Sequence, residues 1–530
     1  MPLILALDQS TSATKAVLFN STGKVIDRAS RDHKQIYPQP GWVEHDAEEI
    51  WQNVLAVIRE VAGRNPDQTN QLACLSITNQ RETILAFDRA TGKPLHNAIV
   101  WQCRRGDPIC QKLREQAHDN LVRGKTGLKI DTYFSASKLK WLINEKPDLA
   151  AKLKSGDAVI GTIDAYLVHR LTGGKVFATD HTNASRTLLF DIGKLRWDEE
   201  LCDLFDVPMR ALPEVRESAA QFGDTDAGGL LLKRVPIYGV MGDSQASMFS
   251  QRCYRPGMAK ATFGTGTSVL LNIGDQFRLS KKGAVVALAW VWQGQPTYAY
   301  EGIINFSAAT IEWLKNQLGL IRNASEVEAL ALSVADNSGV YLVPAFAGLS
   351  APYWSPDARA AITGMTAHTR KEHIVRAALE SIAYQVRDVL EMMRAGARLK
   401  LQDLHADPKV GHRVERRELA AEVVVLVLVH ARHDLHEALG ADGALGERIE
   451  ARFNGHDGQD QGRVELVAGP DVIGLGHQCA QRLGGDPVFL AQPIGHCRLL
   501  LGQVLGVGGR GALDRVLLDG HAHRSFLARL

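Results

Sequence analysis

Several features that would place a protein at a glance are missing from this chain. Its 7 cysteines are scattered, with no CxxC pair and no Cys/His spacing typical of a metal site. That excludes a disulfide scaffold and suits a reducing compartment. The formal net charge is only +2, which predicts no affinity for nucleic acid or for a charged membrane surface. The apolar run Val423 to Val429 is far shorter than the ~20 residues of a membrane-spanning helix. At the N-terminus, Met1-Pro2-Leu3 leads directly into an apolar strand, with neither a basic region nor a cleavage site. These absences predict a cytoplasmic protein without nucleic-acid or membrane partners.

A second lack is confined to one region. From Leu401 to Leu530 there is no Thr, Tyr or Trp, Lys409 is the only lysine and Ser525 the only serine. In the same stretch lie 10 of the 18 histidines, among dense Gly, Leu, Val and Arg. An α/β domain rarely loses three residue types at once. Residues 408–530 are therefore read as an atypical tail rather than a native continuation, as a shifted reading frame in a GC-rich gene would produce. His430, His433 and His436 suggest a metal site in isolation, but the biased composition explains them better.

What the chain does contain is ordinary for a soluble globular protein: 45% hydrophobic and 23% charged residues over a length of 530. That length is too great for one core and predicts at least two domains. The start reads as an antiparallel meander of three strands, closing with Lys24 to Ile26. A helix follows from about Ala47, where Asp46 and Glu49 form a capping box and Ile50, Trp51, Val54, Leu55 and Ile58 share one face. The strand Leu72 to Ile77 comes next, so the class is α/β. From about Met258 the pattern restarts: turn, strand, a helix near Ser307 to Gln317, a strand at Gly339 to Val343, and a long helix from Lys371 to Met393. The likeness between the halves is architectural and not a sequence repeat.

Two small, hydroxyl-rich turns stand in these halves. Asp8-Gln9-Ser10-Thr11-Ser12 follows the strand Leu3 to Leu7, and Gly264-Thr265-Gly266-Thr267 precedes Val269-Leu270-Leu271. Small residues let backbone and hydroxyl donors approach phosphate oxygens closely; a plain hairpin is the alternative for each. Acids lie nearby. Asp8 ends a strand, where a carboxylate can hold hydrated Mg²⁺, or serve as a turn cap. Asp243 follows the strand Val235 to Val240, where it can take a proton, or act as a helix N-cap. Arg81 and Glu82 end another strand, as a pair suited to vicinal hydroxyls or as a surface ion pair. Trp101 and Tyr133 offer apolar walls, unless they are core residues, and Lys15 is either a phosphate ligand or solvated. Together the turns and acids point to a kinase.

Longer motifs stand at Gln35 to Asp46, Ile77 to Thr83, Asn97 to Arg105, Thr182 to Thr187, Tyr133 to Trp141 and Gly348 through Glu380. They resemble the FGGY carbohydrate kinases, most closely those acting on glycerol, and the last two are similar to the two family signatures. The resemblance covers about residues 3 to 407. It implies two RNase H-like domains of the actin, Hsp70 and hexokinase type with ATP in the cleft between them: residues 1–246 bind polyol, and 247–407 bind nucleotide but are incomplete. It implies ATP and Mg²⁺ and phosphorylation of glycerol to glycerol 3-phosphate, in an assembly of identical copies. Asp243 would be the general base. Arg81, Glu82, Trp101, Tyr133 and Asp243 would bind substrate, Thr11, Ser12, Lys15, Gly264 and Thr265 the nucleotide, and Asp8 and Asp243 the metal. The departures are Ser10 and Ala308 where the family has glycine, Ser268 for an aromatic, Ser244 for a substrate-binding glutamine, and Pro408-Lys409-Val410 where a Gly-Gly turn and an Asn hold adenine. Alternatives are a kinase for another polyol or sugar, or a polyol-binding protein without activity.

Overall fold

The computed structural model describes residues 3–355, 357–408, 450–454 and 463–467. Most of the atypical tail, including His430, His433 and His436, lies outside the described residues. The chain forms two compact units. The first comprises Met1–Arg252, Asn272–Leu279 and Val285–Tyr300; the second takes Cys253–Leu271, Ser280–Ala284 and the chain from Glu301 onward.

The first unit is built on a six-stranded sheet in the order Gln221–Thr225, Val235–Gly242, Leu72–Asn79, Leu3–Gln9, Ala13–Asn20, Val25–Asp32. The last three strands form the expected antiparallel meander, whereas Leu72–Asn79 runs parallel to both Leu3–Gln9 and Val235–Gly242. Strand alternation is visible in Leu3, Leu5 and Leu7, which are buried on one face with Leu75, Ile77, Ala16 and Leu18. Against that face packs the helix Ala47–Arg64 through Ile50, Trp51, Val54, Val57, Ile58 and Val61. Its N-cap differs in detail from the expected capping box. The Asp46 carboxylate accepts from the amides of Glu48 and Glu49, but the Glu49 side chain turns outward to the Lys34 amide, at 3.4 Å.

The register of the parallel strands matters most for function. Gln9 pairs with Asn79 and Asn79 with Gly242, so three adjacent strands end in one row. In open α/β sheets, ligands bind beyond such carboxyl ends. Strands run two residues beyond the expected limits at Asn79 and Gly242, and the third strand of the meander extends to Asp32.

The second unit opens in the same way. Met258–Phe263 pairs antiparallel with the start of Thr267–Gly274 and parallel with Asp403–Pro408. The helices Ala308–Asn316 and Lys371–Ala397 belong to it, the second buried along Val375, Ala378, Ile382, Val386, Val389 and Met393. Beyond Asp403–Pro408 the two units part. Arg463–Val467 pairs antiparallel with that strand and Glu450–Asn454 antiparallel with Arg463–Val467, whereas the equivalent place in the first sheet holds the parallel strand Val235–Gly242.

Candidate active site

Beyond the row of strand ends stand the residues that carry charge. Asp8 is paired across its hairpin with Lys15, whose Nζ lies 3.3 Å from Asp8 Oδ2. Lys15 is thus neither free in solvent nor detached from the candidate metal ligand. Two strands away, Asp243 follows directly on Gly242. It is the first residue of the helix Asp243–Ser250, with Gly242 at the cap position, so the N-cap alternative does not apply. Its Oδ1 accepts from the Ser244 amide at 2.7 Å and lies 3.4 Å from Arg81 Nε.

Arg81 and Glu82 are no surface pair: their side chains are 3% and 2% exposed. Arg81 donates to Gln245 Oε1 at 3.2 Å, and Gln245 in turn donates to the Leu288 carbonyl. Glu82 sits at φ 61°, and the Thr83 amide donates to the Arg81 carbonyl across it at 2.7 Å. That is a γ-turn with positive φ, a rare and strained geometry that a site must hold in place. Arg186 supplies part of the hold, its Nε donating to Glu82 Oε1 at 2.6 Å from a fully buried position. The Ser135 hydroxyl adds another bond, to the Glu82 carbonyl.

A brace behind these groups comes from the segment Asp180 to Arg186. The Asp180 carboxylate caps the short helix His181–Ala184 and accepts from Ser218. Thr182 Oγ1 accepts from the Gly242 amide at 2.9 Å, fixing the residue before Asp243. Asn183 and Asn79 exchange amide hydrogen bonds at 3.0 and 3.1 Å, tying the same brace to the neighbouring strand end. One polar segment therefore positions both Asp243 and Arg81.

Trp101 and Tyr133 are half-buried and meet edge to face, 5.3 Å between centroids. Trp101 Nε1 donates to Thr11 Oγ1 at 3.0 Å. The Thr132–Tyr133 turn is fixed from within by Lys138, a buried amine donating to both carbonyls at 2.7 and 3.1 Å. Burial pushes that amine down to about 8.

Both candidate phosphate turns are tight hairpin connections. In the first, the Ser10 amide and hydroxyl both donate to the Ala13 carbonyl, at 2.9 and 3.0 Å. Ser10 thus closes the turn itself and needs no glycine. In the second, the Gly264 amide donates to the Gly266 carbonyl, and the amides of Ser307 and Ala308 donate back to Thr265 and Gly264. A Cβ on Gly266 would lie 2.3 Å from the Ile304 carbonyl oxygen, so only glycine fits. Gly264 and Thr265 belong to the second unit and the other candidates named above to the first. Among the described residues, no three His, Cys, Asp or Glu side chains cluster as a metal cage.

Sequence reasoning did not single out Arg186, Gln245, Thr182, Asp180 or Lys138. Arg186 and Thr182 stood inside a quoted motif, and Lys138 inside a signature. Burial is what reveals their roles.

The N-terminal domain model of the FGGY family of carbohydrate kinases matches residues 3–250, and the C-terminal domain model residues 259–421. The chain belongs to the FGGY family of carbohydrate kinases. This FGGY chain is 48% identical over 404 residues to the glycerol kinase of Carboxydothermus hydrogenoformans, covering 76% of its own length and 81% of the relative. It is 48% identical over 390 residues to glycerol kinase 1 of Thermotoga maritima, covering 74% and 79%. Among solved structures it is similar to Plasmodium falciparum glycerol kinase with ADP, at TM-score 0.73 and 34% identity over 83% of this chain and 92% of the other. A xylulose kinase from Lactobacillus acidophilus shares the fold, at TM-score 0.69 and 18% identity over 83% and 99%. The C-terminal match runs to residue 421, past the limit near 407 expected from the motifs.

Proposed function

We propose that this FGGY enzyme transfers the terminal phosphoryl group of ATP to glycerol, giving glycerol 3-phosphate. One observation carries the reading: Asp243, Arg81 and Glu82 stand together beyond aligned strand ends, 3.4 and 3.7 Å apart through Arg81 Nε. The identity of 48% to curated glycerol kinases supports it. Asp243 is the general base: its carboxylate is partly open, 24% exposed, and takes the proton of the attacking hydroxyl. Arg81 and Glu82 present donors and acceptors to the vicinal hydroxyls. Trp101 and Tyr133 wall the carbon chain. Thr11, Ser12, Lys15, Gly264 and Thr265 are the nucleotide-contacting residues of this reading.

Mg²⁺ bound to ATP would neutralise charge on the transferring phosphoryl group. The donor set fits this ion, which takes one or two carboxylates with water and phosphate oxygens rather than a protein cage. Asp8 and Asp243 would hold it. Residues 1–246 form the polyol-binding domain and 247–407 the nucleotide-binding domain in this reading. Among the described residues no helix is long and apolar enough to cross a membrane; a cytoplasmic assembly of identical copies, acting on a small molecule, is part of this reading.

An assay of ADP release with glycerol tests the reading. Asp243→Asn is expected to lower kcat by about 10²–10⁴ while glycerol binding persists. Near-normal turnover in that variant would remove Asp243 from the mechanism.

A further inference from the structure

Beneath the Ser10–Ser12 turn lies a buried polar nest that the reaction itself does not use. His33 is 8% exposed and His45 fully buried, with their rings edge to face at 4.6 Å. His33 Nε2 lies 2.9 Å from the Thr11 carbonyl oxygen, and the His33 amide donates to the Ser12 carbonyl at 3.2 Å. A carbonyl only accepts, so His33 is the tautomer with its proton on Nε2. Thr11 is therefore held twice, its carbonyl by His33 and its hydroxyl by Trp101 Nε1 at 3.0 Å. Gln80 closes the nest on the other side, donating to Gln9 Oε1 at 3.1 Å and reaching His45 Nδ1 at 3.4 Å. Gln80 also donates to the Ser10 carbonyl at 3.3 Å and immediately precedes Arg81, so the phosphate turn is in contact with Trp101 on one side and with the residue before Arg81 on the other.

We propose that His33 is a positioning residue that couples polyol binding to nucleotide binding through Thr11. This rests on the function proposed above. Polyol seated against Trp101 fixes the indole, and the indole fixes the Thr11 hydroxyl. With its carbonyl already anchored by His33, the turn then presents its donors to phosphate at a lower ordering cost. Without the His33 anchor the Thr11 hydroxyl can follow the indole while the rest of the turn does not. Linkage makes the effect reciprocal: nucleotide must tighten polyol by the same factor.

The test is calorimetric titration of the full chain with glycerol, with and without a saturating non-hydrolysable ATP analogue. In the unaltered chain the analogue is expected to tighten glycerol about 5-fold or more, within the usual range of coupling. His33→Leu should bring that ratio to within about twofold of unity, with glycerol affinity measured alone nearly unchanged. His33→Gln, whose side-chain amide still donates, should restore the ratio and so excludes a merely structural loss. A ratio kept in His33→Leu, or no coupling in a chain that binds both ligands, overturns the proposal and leaves the function standing. Failure of the unaltered chain to bind glycerol at all overturns the function and this proposal with it.

Discussion

Glu82 is the most constrained residue of the site: it is buried, strained at φ 61° and matched to a second buried charge on Arg186. Removing that partner takes away a charge that helps to hold a carboxylate in a dry environment. Loss of one member of a buried pair costs about 3–5 kcal/mol, because the remaining charge stays buried without compensation. Arg186→Met should therefore lower unfolding free energy by about that amount in urea melts. A change below about 1 kcal/mol would mean that Glu82 is held by its other contacts. Residues of this kind explain what was legible in the sequence. Asp243, Arg81 and Asp8 announce themselves because each follows an apolar run that ends at a strand. Arg186 does not, because an arginine inside a polar motif reads equally well as surface, and the sequence carries no sign that its side chain turns inward.

At the scale of elements, the second phosphate turn depends on contact with the chain that follows its hairpin. Gly266 lies against the backbone of Ile304 and Asn305, where an added Cβ would meet carbonyl oxygens at 2.3 and 3.0 Å. Carbonyls paired in a fold yield less readily than a side-chain tip. Gly266→Ala is expected to cost about 1–3 kcal/mol, as overpacking does, and to weaken nucleotide binding with little effect on glycerol affinity. Equal melting temperature and equal nucleotide affinity would show that the turn moves freely off that segment. Strand and helix positions were readable here because their periodicities are clean: Leu3, Leu5 and Leu7 alternate, and Ile50, Trp51, Val54 and Ile58 recur at helical spacing. Ends were less so. Strand Leu72–Asn79 outlasts its apolar pattern because Thr78 and Asn79 keep their ladder partners, and hydrogen bonding does not require an apolar side chain.

For the whole molecule, buried histidine makes stability depend on acidity. Burial, with a smaller contribution from His33 nearby, pushes His45 from 6.5 down to about 3. Between those values the unfolded chain binds a proton that the folded chain refuses. The contribution of His45 is thus fully present above about 6.5 and is lost as the pH falls toward 3. Its slope reaches at most about 1.4 kcal/mol per pH unit. Asp164 opposes this: burial raises it from 3.8 to about 7, so its protonated form favours the fold as the pH falls through that window. Comparing His45→Asn with the unaltered chain separates the two. The variant should lose less stability between pH 6.5 and pH 5, and equal slopes would remove His45 as a source.

The row formed by Gln9, Asn79 and Gly242 has a consequence for how such a protein can change over generations. Everything on the near side of the row is shared packing, where each strand constrains its neighbours by register, and a one-residue slip would turn Leu5, Leu75 and Ile237 toward the wrong face. On the far side the connections are bonded to one another as well: Arg81 to Asp243 and Gln245, Gln80 to the Ser10 carbonyl, and the Gly242 amide to Thr182. A replacement beyond the row therefore reaches its neighbours, and a lasting change of substrate preference calls for replacements in concert.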